Sequence, residues 1–199
     1  NSISVQLADG RTENAELLGS DAETDIALLR IDADELSDIQ LADIDSVQVG
    51  DYVVAIGNPF GIGQTVTSGI VSALGRAGLN RENYEDFIQT DAAINLGNSG
   101  GALVDLEGNL IGINTAILSG NGGSNGIGFA VPVDMVAAVV GHLQRDGEVR
   151  RGMLGVSVID LNGEMAGALN IDADSGALVT SIVAGSAAEK AGIEISDVI

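Results

Sequence analysis

Gly97-Asn98-Ser99-Gly100-Gly101 stands between Asp91-Ala92-Ala93-Ile94-Asn95 and an apolar strand that opens at Ala102. The small residues around Ser99 leave its hydroxyl accessible. They also let the backbone turn sharply enough for successive N–H groups to face one space. Donors placed in this way stabilise the charge that develops on a carbonyl oxygen at a tetrahedral intermediate. Taken alone, the same five residues also make a Gly-rich hairpin turn with an idle serine. The neighbourhood decides between the two.

Working outward, the chain is built from short strands. Residues 3–7 alternate polar and apolar and end at Asp9-Gly10, a hairpin signal, and residues 15–19 and 26–31 continue the pattern. Residues 32–46 are acidic and weakly patterned, as a connector is. Strands are expected again at 52–56, 65–74, 87–90, 102–105, 110–117 and 126–131, separated by turns rich in Gly and Asn. Such a series indicates an antiparallel barrel or sandwich. One helix stands out, because Val136, Val139, Val140 and Leu143 share a face between Pro132 and Gly147. After Arg150-Arg151 a new unit begins, with strands near 154–156 and 176–180 and a small-residue helix at 186–191.

The totals exclude several classes. Of 199 residues, 45% are hydrophobic but only 3% aromatic, so the core is built from Ala, Val, Ile and Leu. Asp and Glu number 29 against 8 Lys and Arg, and the net charge of −21 repels a phosphate backbone, which argues against nucleic-acid binding. A lysine-poor acidic surface also suits high salt, where screening weakens self-repulsion. With no cysteine there is no disulfide and no thiolate metal site, and no metal or other cofactor is expected. No run approaches the roughly 18 apolar residues of a membrane span. The first ten residues lack the basic start and hydrophobic block of a signal peptide. The chain reads as a fragment.

A second chemical element is Thr24-Asp25-Ile26-Ala27-Leu28-Leu29. An aspartate just before a buried strand can be held in a dry site, where it orients an imidazole and stabilises the imidazolium. The order Asp25 before Ser99 fits the arrangement of His, then Asp, then Ser. By itself an acidic residue before a strand is an ordinary turn residue.

The chain resembles the HtrA/Deg serine proteases, of the periplasmic DegP/DegQ type. The resemblance is carried by residues 49–61 (VGDYVVAIGNPFG), by Thr67-Ser68-Gly69-Ile70-Val71-Ser72, and by 89–95 running into 97–101. It implies an all-β, trypsin-like double β-barrel, its first barrel incomplete here, with a C-terminal helix and then a partial PDZ domain of α+β type. On that basis 1–31 end the first barrel, 32–46 connect, 47–147 form the second barrel and helix, and 148–199 belong to the PDZ domain. The family acts on misfolded or unfolded proteins in the cell envelope, as a periplasmic homotrimer or larger cage that also binds peptide C-termini.

The resemblance also assigns roles. Ser99 becomes the nucleophile, Asp25 the residue orienting the histidine, and the backbone of Gly97, Asn98 and Ser99 the oxyanion hole. Thr115, Ala116, Ile117, Leu118 and Ser119 match the strand that pairs with substrate backbone. Ile94 and Ile117 would line the pocket for the residue before the scissile bond, narrow it and favour Val or Ala over Arg or Phe. Arg76 resembles a residue of the regulatory loop. Leu154, Gly155, Val156, Ser157 and Val158 match the loop and strand with which a PDZ domain takes a peptide C-terminus.

The one histidine, His142, follows Ser99 and lies on the expected helix, whereas the family's base precedes the aspartate. The matching position falls before Asn1, so this piece alone is expected to be nearly inactive. The alternative reading is a chaperone-like binding protein whose protease fold no longer cuts. A protein released from catalysis has no physical need to keep both Asp25 and the complete motif around Ser99.

Overall fold

The computed structural model describes residues 2–59, 63–79, 84–117, 123–169, 171–173 and 175–199, the side chains of Ala116 and Ile117 excepted. The chain divides into two compact units, Asn1–Val149 and Arg150–Ile199.

The first unit opens with an antiparallel three-stranded sheet of β1 (Ile3–Gln6), β2 (Thr12–Asp21) and β3 (Ile26–Ile31), in that order. Asp9 locks the β1–β2 turn by accepting from the backbone N–H of Arg11 at 2.9 Å and from its guanidinium at 2.7 Å. Those bonds favour the charged form and hold the Asp9 carboxyl below the usual carboxylate range. The connector is tied to the barrel through Leu110, whose carbonyl accepts from Ala42 N–H at 2.9 Å and whose N–H donates to Gln40 at 2.8 Å.

Six strands then close a barrel: β4 (Tyr52–Gly57), β5 (Thr65–Arg76), β6 (Phe87–Thr90), β7 (Ala102–Val104), β8 (Leu110–Ile117) and β9 (Gly128–Pro132). They run antiparallel in the order β4-β5-β6-β9-β8-β7, which closes the barrel, although β7 covers β8 only as far as Ile113. Side chains alternate as a pleated strand requires: Val53 and Ala55 of β4 are buried while Tyr52 is exposed. With so few aromatic residues the interior is aliphatic, filled by Val53, Val71, Ile88, Ile94, Leu103 and Ile111. Each such side chain contributes about 1.5–3 kcal/mol of burial.

Helix α1 (Val133–Asp146) starts directly after β9 and ends at Gly147, whose φ of 74° lets its N–H reach the carbonyl of Leu143. Its buried face, Val139 and Leu143, meets Phe87, Phe129 and Val131 of the barrel and Ile26 of β3. The helix therefore joins barrel and sheet in one unit. Its apolar spacing in the sequence is the reason it forms where expected.

The second unit contains β10 (Val156–Leu161) paired antiparallel with β11 (Gly176–Ile182), helix α2 (Gly163–Leu169) and helix α3 (Ala187–Ala191). Leu161, Ala166 and Leu178 form its apolar centre. Ser186 caps α3 by accepting from Glu189 N–H at 3.2 Å, and Glu189 reaches back to Gly185 N–H at 2.7 Å. α2 was not expected, because seven residues with two glycines make a weak helix. It is held by the buried Ala166 and by Asn162 Oδ1, which accepts from Met165 N–H at 3.0 Å. Ser196 adopts φ 79°, the left-handed conformation that glycine tolerates best. Among the described residues, no helix is long and apolar enough to cross a membrane.

Candidate active site

Ser99 is exposed in the turn between β6 and β7. The preceding Gly97 has φ 99°, which a side chain would resist. Backbone bonds that fix this turn include Asn98 N–H to Asn95 O at 3.0 Å, Gly101 N–H to Asn98 O at 2.9 Å, and Asn58 N–H to Gly97 O at 3.3 Å. They use the N–H of Asn98. The N–H groups of Gly97 and Ser99 keep no acceptor among the described residues, so those two are the donors available to a ligand.

The hydroxyl of Ser99 donates to the carbonyl oxygen of Thr115 at 2.9 Å. The hydroxyl of Thr115 donates in turn to Oδ2 of Asp25 at 2.8 Å. One residue of β8 thus connects the serine of the barrel with the aspartate of the β2–β3 turn. Thr115 was expected only to meet substrate backbone, and its grip on Asp25 is a role the sequence reading missed. No local signal announces a contact between residues so far apart in the chain.

Asp25 has φ 60° and is exposed. The dry carboxylate of this turn is Asp21, 8% exposed, which accepts from the N–H of Thr24 at 3.2 Å and from its hydroxyl at 2.6 Å. Its partner Thr24 is buried as well, so the pair gives the turn a rigid base. The carbonyl of Glu23 also accepts from Tyr84 N–H at 2.9 Å. Asp25 is held from below by this turn and from the side by Thr115.

Beneath the serine turn, Asn98 is 2% exposed and lies against Gly57. A Cβ on Gly57 would stand 2.5 Å from Asn98 Oδ1, and one on Gly101 would overlap the carbonyl oxygen of Ile56. The turn therefore rests backbone to backbone on the end of β4. Beside Ser99 opens a cleft of ≈ 640 Å³, bounded by Gly97, Asn58 and Gln64 and by Leu7, Ala8 and Gly10 of the β1–β2 turn.

The remaining expected site residues fall in different places. Ile94 is 1% exposed in the barrel core and abuts Gly128, which pairs with Ile117 in the β8–β9 ladder. Ala116 pairs with Phe129, while Leu118 and Ser119 lie outside the described residues. Arg76 ends β5 and donates through Nε to Gln89 at 3.0 Å. His142 lies on α1 with Nδ1 3.2 Å from the guanidinium of Arg145, and no described hydrogen bond joins it to Ser99 or Asp25.

In the second unit, the carbonyls of Leu154 and Gly155 accept from Ala188 and Val183 at 2.9 and 2.8 Å. Val156, Ser157 and Val158 open β10, which is paired with β11 alone among the described strands.

Residues 1–113 match the trypsin-like peptidase domain. The chain belongs to the trypsin-like peptidase family. It has the all-β, trypsin-like fold expected of that family. It is 58% identical over 198 residues to the periplasmic serine endoprotease DegP of Escherichia coli strain K12, a match covering 99% of this chain and 42% of that protein. With the periplasmic pH-dependent serine endoprotease DegQ of the same strain the identity is 54%, over 99% of this chain and 44% of the relative. The chain thus spans less than half the length of these curated relatives. A solved structure of the HtrA-type protease AlgW with a tripeptide superposes with a TM-score of 0.87 at 52% identity, covering 100% of this chain and 66% of that chain. The resemblance to HtrA/Deg proteases read from the motifs is borne out over the whole chain.

Proposed function

We propose that this chain is the catalytic core of a periplasmic serine endopeptidase that cuts unfolded or misfolded proteins. The observation that carries the reading is the connected series Ser99, Thr115 and Asp25, beside two free N–H donors. In this mechanism Ser99 Oγ attacks the peptide carbonyl and gives its proton to a histidine, which later protonates the leaving amine. The N–H groups of Gly97 and Ser99 hold the oxyanion, and Asp25 orients the imidazole. The resemblance assigns that histidine to a position that precedes Asp25 in the chain.

Substrate binds by adding a strand to β8 around Thr115, Ala116 and Ile117, continuing toward Leu118 and Ser119. That mode favours unfolded chains, since only they offer a free extended segment. The pocket beside Ile94 and Ile117 takes Val or Ala before the scissile bond. The segment from Leu154 to Val158, which leads into the edge of β10, receives a peptide C-terminus in the manner of a PDZ domain. Arg76, at the end of β5, leads into a loop that reports an activator, and the protein assembles as a homotrimer or larger cage. Names of the similar relatives support the periplasmic location.

Cleavage of one protein in folded and permanently unfolded forms by the full-length protein tests this function. Expected is faster cutting of the unfolded form, chiefly after Val and Ala, abolished by Ser99→Ala. Binding of the unfolded form without any cleavage would establish the non-cutting alternative instead.

A further inference from the structure

Asn114 precedes Thr115 on β8 and is 0% exposed. Its carboxamide nitrogen donates to the carbonyl of Ala102 at 3.1 Å and to that of Ile56 at 3.4 Å. Its main chain clasps the turn that follows Ser99: Gly100 N–H donates to its carbonyl at 2.8 Å, and its own N–H donates to Gly101 at 2.9 Å. The carboxamide oxygen has no partner among the described residues. A carboxamide buried with its oxygen unpaired is costly in an aliphatic barrel, where an apolar side chain would fill the space without that penalty.

The place of the amide explains its retention. The β4–β7 ladder runs through Val54–Val104 and Ala55–Leu103 and stops there. Ile56 and Ala102 come next on the two strands, and the Asn114 amide joins their carbonyls where no ladder pair is made. Ile56 leads directly to Gly57, against which Asn98 is packed, and to Asn58, whose N–H holds Gly97 O at 3.3 Å. Ala102 follows the turn that carries Ser99. The amide thus joins the two segments between which the Gly97 peptide is held.

We propose that Asn114 is a positioning residue for the oxyanion donors, its amide pinning the end of β4 to the start of β7 so that the N–H groups of Gly97 and Ser99 stay aimed at one point. The proposal rests on the reading of Ser99 as nucleophile. A residue that merely fills the core affects stability. One that aims the donors affects kcat and the affinity for a tetrahedral adduct, while KM changes little.

The test uses the full-length protein, a chromogenic peptide substrate and a peptide boronate whose adduct on serine places an oxygen against the donors. Asn114→Ala, and Asn114→Asp, which keeps the shape but loses the donor, are expected to lower kcat roughly 10- to 100-fold. KM should stay within about twofold, and boronate affinity should fall in step with kcat. Val104→Ala, in the neighbouring apolar cluster, should lower Tm and leave kcat unchanged. A folded Asn114→Ala protein with kcat within about twofold of the unmodified one overturns the proposal, as does a loss carried by KM alone. Should both Asn114 variants fail to fold, hydrogen exchange of the Asn114 side-chain amide in the unmodified protein decides. Slow exchange, comparable to barrel backbone amides, is expected, and rapid exchange overturns the role. An unmodified protein that forms no boronate adduct removes the Ser99 reading itself, and this proposal with it.

Discussion

The hydroxyl of Thr115 donates to Oδ2 of Asp25 at 2.8 Å, across 90 positions of the chain, while the carbonyl of Thr115 accepts from Ser99 Oγ at 2.9 Å. Serine and aspartate come from separate sheets, and a single residue of β8 sets the spacing between them. β7 pairs with β8 only as far as Ile113, and the β8–β9 register shifts between Asn114 and Ala116, so Thr115 stands just past the β7 ladder with its carbonyl and hydroxyl turned to Ser99 and Asp25.

Thr115→Val keeps the branched shape and removes the donor to Asp25. A hydrogen bond of this kind contributes a net ~0.5–1.5 kcal/mol, which corresponds to roughly a 2- to 10-fold lower kcat if it acts fully in the transition state. Steady-state kinetics of the full-length protein measure this. Unchanged kcat would show that Asp25 does not depend on Thr115.

Gly57→Ala places a methyl 2.5 Å from Asn98 Oδ1 and 2.8 Å from its Cα. Either Asn98 or the end of β4 must shift, at a cost of about 1–3 kcal/mol in stability. The turn above carries Ser99, so a loss of activity should exceed what the lowered Tm explains. Chemical labelling of Ser99, compared with the fraction folded at the same temperature, separates the two effects.

Gly141→Ala is expected to act in the opposite direction. Gly141 lies inside α1, and a Cβ there meets nothing within 4 Å. Replacing glycine in a helix interior stabilises by about 0.5–1 kcal/mol. Tm should rise while kcat and KM stay unchanged, since α1 takes no part in the site. A lower Tm would mean that this face of α1 is covered in the full-length protein.

Much of the fold was legible because its signals are local. Alternation in the opening strands, and short runs between Gly- and Asn-rich turns after them, located the nine strands described in the first unit, and β3, β6 and β8 match their expected bounds. The stripe Val136, Val139, Val140 and Leu143 located α1. Ends were less clear: β9 begins at Gly128 rather than 126, because Gly126 N–H turns to Ser124 Oγ at 3.4 Å. Ser99 was conspicuous through its glycines. The asparagines beneath it were not, since Asn58, Asn98 and Asn114 act through contacts between segments distant in sequence. Asp25 was expected in a dry site, but its turn buries Asp21 instead, as the hydroxyl and N–H of Thr24 satisfy that carboxylate. α2 escaped notice because burial and its Asn162 cap, rather than propensity, hold it.

The charge of −21 makes a prediction about salt. Screening shortens from about 10 Å at 0.1 M to about 3 Å at 1 M, which relieves repulsion among exposed carboxylates. Tm should rise with sodium chloride over that range. Chloride is the proper salt, because sulfate strengthens apolar burial in any protein. A Tm indifferent to sodium chloride would show that self-repulsion does not limit stability.

The most direct measurement is fluorophosphonate labelling of the full-length protein, with the modified residue located by peptide mass spectrometry. A single adduct on Ser99, lost in Ser99→Ala and slowed in Asp25→Asn, is the expected result. A folded full-length protein that takes no label at Ser99, or takes it on another residue, contradicts the assignment of this site as a serine protease centre.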